Sequence, residues 1–160
     1  MAEENIQIIN YYPEFADTFK ELNIHWIKKY FEVEPEDLKM LNDPQQHIID
    51  TGGFIVFAKC ENEIVGTCAL IKNRNGVFEL AKMAITENMQ GKHIGLKIGL
   101  KIIEIAKQNK AQKIILETNS SLKPALNLYE KLGFVYVPLT QEQKDRYKRA
   151  DVMMELNLKS

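Results

Sequence analysis

The 160-residue chain predicts an α/β fold, a single domain (1–160) on a mixed central sheet with helices on both faces. Three observations carry that expectation. At about 150 residues per domain the length leaves room for one core, and none for an (α/β)8 barrel, which needs ~250 residues. Three β-rich runs follow one another at 54–60, 64–71 and 77–85, which favours antiparallel pairing. A strand–helix–strand succession around Gly95 then requires a right-handed parallel crossover.

The elements follow in order. Ile6 to Tyr11 is a short β-rich run stopped by Pro13. From Glu14 to Tyr30 the residues Phe15, Phe19, Leu22, Trp26 and Tyr30 recur at helical spacing. Pro35 suits the first turn of a second helix over Glu36 to Leu41. Trp26 and Phe31 are expected to anchor these helices to the sheet. Phe54–Cys60 and Ile64–Ile71 read as a hairpin turning at Glu61-Asn62-Glu63, and Val77–Ile85 follows Asn75-Gly76 as a third strand. Gly95 to Asn109 is a helix with one polar stripe of Lys97, Lys101, Glu104 and Gln108. Leu96, Ile98, Leu100, Ile102, Ile103 and Ile105 fill the rest of its surface, a face wide enough to lie on a sheet. Lys113–Thr118 is a buried strand. The next helix aligns Leu122, Ala125, Leu126, Tyr129 and Leu132, with Gly133 placed as its left-handed cap. Phe134–Val137 and Asp151–Leu158 close the sheet, joined by a polar segment from Gln141 to Arg149. Met153, Met154 and Leu156 would lie beside a sheet edge, which makes a homodimer an expectation.

Composition narrows the function. Apolar residues make up 45% and charged residues 27%, and 21 basic side chains stand against 22 acidic ones. That balance argues against a nucleic-acid or membrane partner. No apolar run approaches the ~18 residues of a spanning helix. The acidic start, Met1 to Asn5, is unlike a signal peptide, so a cytoplasmic location is expected. Charge is unevenly spread: residues 1–52 hold eleven acids and four lysines, while 92–113 hold six lysines and one acid, Glu104. Cys60 and Cys68 fall out of register in the hairpin, Cys60 near Glu63 and Cys68 near Val56, so a reduced pair is expected. No metal-ligand spacing is present.

The segment Glu79 to Gly99 is the most informative. A strand ends near Ile85, and Gln90-Gly91-Lys92-His93-Ile94-Gly95 leads into a helix. Two glycines in a strand-to-helix turn let backbone amides converge on an anion, and the helix N-terminus adds about half a positive charge. Lys92 and Lys97 add positive charge nearby. The dinucleotide and P-loop spacings are both absent. Gly91, Gly95 and Gly99 recur every four residues, a spacing that equally serves close packing of the helix.

Gln90 to Gly95 resembles the [QR]-x-x-G-x-[GA] signature of the GNAT superfamily of acetyl-coenzyme A-dependent N-acetyltransferases, and the order of elements matches that fold across nearly the whole chain. Asn119, Ala125, Leu128-Tyr129, Lys131 and Gly133-Phe134 resemble its second motif. The resemblance implies that Gly91, Lys92, His93, Ile94, Gly95 and Leu96, with Gln90, wrap the coenzyme diphosphate. It implies that Met83, Ala84 and Ile85 pair with the pantetheine arm, and that Asn119 bonds that arm. His93 stands where the family has its inner glycine; histidine reaches positive φ at modest cost.

Two side chains are candidates for the chemistry. The resemblance implies that Tyr129 serves the departing thiolate: a thiolate whose conjugate acid has a pKa of about 8.5 can take a hydrogen bond or proton from a phenol near 10. The alternative is a core aromatic, since Tyr129 lies on the apolar face of its helix. Glu79 alternates with Ala81, Met83 and Ile85 on an apolar strand face, where burial would tune a carboxylate toward a base for the incoming amine. Its alternative is a structural ion pair, with Lys82 or a neighbouring strand. A backbone N–H near Ile85 would polarise the thioester carbonyl. His25 and His47 read as surface or satisfied histidines. The expected reaction is direct transfer of acetyl from acetyl-coenzyme A to a primary amine of a small molecule or peptide. The acidic first third suggests a cationic acceptor. A coenzyme-binding sensor without catalysis is the rival on the same fold.

Overall fold

A computed structural model of the chain describes residues 5–146 and 148–158; the acidic start at 1–4 lies outside the described residues. The elements are β1 (Ile6–Asn10), α1 (Ala16–Tyr30), α2 (Pro35–Asn42), β2 (Phe54–Cys60), β3 (Glu63–Arg74), β4 (Val77–Ile85), α3 (Ile94–Gln108), β5 (Lys113–Thr118), α4 (Lys123–Lys131), β6 (Val135–Val137), α5 (Gln141–Arg146) and β7 (Val152–Asn157). One seven-stranded sheet runs β1-β2-β3-β4-β5-β7-β6. Among the described residues only β4 and β5 pair in parallel, joined through α3 as the crossover requires.

Two apolar clusters lie on opposite faces. Phe78, Leu80, Ile98, Ile102 and Ile114 belong to one, which α3 and α4 cover. Phe19, Ile27, Leu41, Ile55 and Phe57 belong to the other, under α1 and α2. The polar stripe of α3 faces outward as expected, with Lys101 Nζ 3.1 Å from Glu104 Oε1. Leu100 also faces out, 55% exposed, so it does not join the buried face assigned to it from the pattern. Cys60 pairs with Glu63 and Cys68 with Val56, and the two are not joined by a disulfide.

Two irregularities in β4 matter most. Thr67 pairs with Ala84 and Ala69 with Ala81, so Lys82 and Met83 together oppose Cys68 in a β-bulge. Lys82 takes a left-handed backbone there, φ 56. The extra residue reverses the side-chain phase of the strand. Ala81 packs into the α1–α2 cluster whereas Met83 and Ile85 pack into the α3 cluster. The single apolar face expected for Glu79, Ala81, Met83 and Ile85 is therefore split at the bulge. Second, the parallel ladder stops at Glu79–Ile115. Beyond it β4 and β5 part.

The closing strands differ from expectation in placement. β7 lies between β5 and β6, and Met154 is fully buried, so Met153 and Met154, which pair with β6, do not border the edge, while Leu156 lies beyond the β6 pairing. That edge is the three-residue β6, with Val135 and Tyr136 exposed. The polar segment between β6 and β7 holds a short helix, α5 over Gln141–Arg146, which its all-polar sequence does not announce.

Candidate active site

The parting of β4 from β5 opens a cavity of about 640 Å³, within the size range of small-molecule sites. Its wall includes Trp26 and Glu36 from the α1–α2 side and Gly91 and Gly95 from the α3 side. The cavity thus passes through the sheet, between the two strands.

At the α3 end the geometry suits an anion. Gly91 adopts φ 80, and a β-carbon added there would meet nothing within 4 Å. His93 is left-handed at φ 63, as the sequence reading allowed, and it makes no side-chain cap to the helix. The first turn of α3, from Ile94, therefore presents amides that no side chain caps. No acid lies in that turn. Gly95 and Gly99 serve a different purpose. A β-carbon on Gly95 would come 3.0 Å from Leu128 Cδ2, and one on Gly99 only 2.5 Å from Leu132 Cδ1. Both glycines let α4 approach α3, so the four-residue spacing is packing at two positions and loop conformation at Gly91. A coenzyme diphosphate fits this end.

The candidate residues mostly converge. Glu79, Met83, Ile85, Gln90, Gly91, His93, Ile94, Gly95, Leu96, Asn119 and Tyr129 all line the cavity. Ala84 and Lys92 are not part of its wall; Ala84 is 1% exposed and paired with Thr67. Gln90 reaches back, its Nε2 donating to Ile85 O at 3.2 Å. Asn119 is bonded within the protein: Nδ2 donates to Arg149 O at 2.6 Å, and Oδ1 accepts from Ser121 N at 2.8 Å.

Glu79 is buried and shares the face of Ala81 and Ile71, beneath α1 and α2. Tyr129 is buried, its ring packed against Phe134 at 6.1 Å between centroids. Burial pushes its phenol above the usual range, and the nearby Cys68 thiol adds to that, so the group is a proton donor at neutral pH. Its hydroxyl has no hydrogen-bond partner among the described residues.

Beside these candidates the structure gathers Asp37, Arg149, Glu34 and Glu117, with Lys82 among them. Asp37, fully buried in the first turn of α2, accepts Arg149 in a bidentate pair at 2.7 and 2.8 Å. The same carboxylate holds Lys82 Nζ at 2.5 Å, both side chains nearly or wholly out of solvent. Arg149 also reaches Glu34 at 3.2 Å. Burial alone would raise the Asp37 pKa, but hydrogen bonds from Arg149 and the charge of Lys82 outweigh it and bring it to about 2. Lys82 is lowered, its burial exceeding the pull of Asp37. Glu117 on β5 lines the cavity as well. An acid at the third position of a helix reads as ordinary capping, which is why Asp37 drew no notice.

Trp26, Tyr30 and Phe31 do more than anchor α1. Their rings cluster 5.1 and 6.2 Å apart about Trp26 and line the α1–α2 end of the cavity. His25 stays on the surface, bridging to Glu87 at 2.8 Å. Among the described residues no group of three or more His, Cys, Asp or Glu could hold a metal ion, and no helix is long and apolar enough to cross a membrane.

Comparison with known proteins extends the picture. Residues 17–134 match the model of the family described as the acetyltransferase (GNAT) family. The chain is 35% identical over 101 residues to the uncharacterized N-acetyltransferase YvbK of Bacillus subtilis, a stretch covering 61% of this chain and 65% of that protein. The matched stretches span 33% to 65% of the length of the curated relatives. A GNAT-family acetyltransferase from Staphylococcus aureus Mu50 superposes with a TM-score of 0.87 at 23% identity, over 96% of this chain and 99% of its own. YncA of Salmonella typhimurium, solved with its cofactor acetyl-CoA, gives 0.75 at 14% identity, over 98% and 95%.

Proposed function

The chain belongs to the acetyltransferase (GNAT) family, and from that premise we propose that it is an acetyl-coenzyme A-dependent N-acetyltransferase that acetylates a primary amine by direct attack. The observation that carries this reading is the continuous cavity through the β4–β5 gap, which joins uncapped amides at one end to Glu79 and Tyr129 farther along. Bound acetyl-coenzyme A supplies the activated thioester.

The protein's own groups then divide the work. The amides of Gly91 to Leu96 hold the diphosphate with the help of the α3 dipole. The bulge at Lys82–Met83, outside the β3 ladder, offers backbone amides beside the arm. Glu79, buried on the α1–α2 face, takes the amine proton directly or through a water. Tyr129 gives its proton to the leaving sulfur, a role that suits a phenol held protonated by burial.

The acceptor enters from α1 and α2, and it is cationic. Five carboxylates (Glu34, Glu36, Asp37, Glu79 and Glu117) gather at that end around two cations, Lys82 and Arg149. The aromatic trio beside them offers ring faces that favour a cation. The test is thiol release from acetyl-coenzyme A with a panel of cationic, neutral and anionic amines, using wild type, Glu79→Gln and Tyr129→Phe. Turnover led by cationic amines and weakened by salt, with both variants impaired, supports the reading. Coenzyme binding without turnover of any amine would make the chain a sensor instead, and neutral or anionic amines turning over fastest would refute the cationic acceptor.

A further inference from the structure

The bulge in β4 is built around a residue ill-suited to it. A bulge whose first residue is left-handed ordinarily has glycine there, because a β-carbon disfavours that backbone. Here the residue is Lys82 at φ 56. Unlike the other left-handed side chains, Glu61, His93 and Lys110, this one lies inside a strand and its side chain is held. The Lys82 side chain is 5% exposed and ends on Asp37 Oδ1. Asp37 is in turn fixed from two sides, by the bidentate Arg149 pair from the segment before β7 and by the Glu34 amide at 2.9 Å in its own helix cap. One carboxylate therefore ties α2, the bulge and the approach to β7 together, across the cavity wall that Lys82 and Arg149 share.

We infer that Asp37 is a positioning residue of the site: by clamping Lys82 it holds the β4 bulge in a backbone conformation that lysine alone would abandon. Asp37 is not on the cavity wall and acts through Lys82. The inference rests on reading the cavity as the coenzyme and amine site. It adds that the shape of the coenzyme strand depends on a charge pair from the acceptor-side helix.

The test separates backbone from charge. Acetyl-coenzyme A affinity is measured by calorimetry for wild type, Asp37→Asn, Lys82→Met, Lys82→Gly and Asp37→Asn with Lys82→Gly, and each fold is checked by its urea midpoint. Methionine loses the pair and keeps the strain, so its affinity should fall about tenfold, as should that of Asp37→Asn. Glycine loses the pair but takes the left-handed backbone freely, so Lys82→Gly should bind about threefold or more tighter than Lys82→Met. Glycine at 82 should also rescue Asp37→Asn, which loss of a merely structural ion pair would not allow. If Asp37→Asn does not fold, the comparison of glycine with methionine at 82 decides alone. Equal affinities for Lys82→Gly and Lys82→Met would overturn the inference while wild type still binds; a wild type that binds no coenzyme would overturn the reading of the cavity itself.

Discussion

Gly99 on α3 faces Leu132 at the end of α4 so closely that a β-carbon would lie 2.5 Å from Leu132 Cδ1. The contact sets how near the two helices lie, and with it where the first turn of α3 stands relative to Tyr129. Gly99→Ala should destabilise the fold by about 1–2 kcal/mol, overpacking against Leu132 offset in part by the gain of alanine over glycine inside a helix. Urea unfolding measures it, and an unchanged midpoint would mean that Leu132 moves aside freely.

Tyr129→Phe isolates chemistry from packing. The hydroxyl makes no hydrogen bond among the described residues, so stability should stay within about 0.5 kcal/mol of wild type. Turnover should fall about 10- to 100-fold if the phenol serves the leaving sulfur. Because burial raises the pKa of this phenol, the factor should be the same at neutral and moderately alkaline pH. A deficit that vanishes as pH rises would show the phenol ionising in that range.

Acid should expose the Asp37 cluster. Its carboxyl is lowered from 3.8 to about 2 in the folded protein. A depressed carboxyl stabilises fully above its unfolded value and loses that contribution as pH falls through the folded one. The stability gap between wild type and Asp37→Asn, about 3–5 kcal/mol for a broken buried pair, should hold from neutral pH down to about 4 and then shrink toward 2. Urea midpoints across that range check it. A gap that closes well above pH 4 would place the pKa elsewhere.

Leu100 offers a contrast. It is 55% exposed on the outer side of α3, so Leu100→Gln should change stability by less than about 0.5 kcal/mol. A loss several times larger, read from the thermal midpoint, would mean that this side of the helix is covered.

Much of this architecture was legible because periodicity reports burial. Ile98, Ile102 and Ile105 mark the buried side of α3, and the runs in β2 to β5 are apolar enough to read as strands. The left-handed turn that leads into α3 was legible from its glycine and its place between strand and helix. The bulge was not: Glu79 to Ile85 reads as unbroken alternation, and a left-handed lysine leaves no glycine to mark the spot. Nor was the Asp37–Arg149 pair, whose partners lie 112 residues apart and look individually like capping and surface charge. Among the candidates, Ala84 and Lys92 were named by motif and fall outside the cavity wall, since a motif specifies a segment while the strand pleat and loop path decide which of its side chains look inward.

The separation of β4 from β5 leaves unclaimed strand edge in the middle of the sheet rather than at its margin. Unclaimed edges elsewhere invite pairing with other chains. Here β3 on one side and β7 on the other flank the slot, and helices roof both faces. That edge is reached along the cavity rather than from beside the sheet. The fold thereby keeps an open edge without exposing it to the sideways pairing that a marginal strand invites.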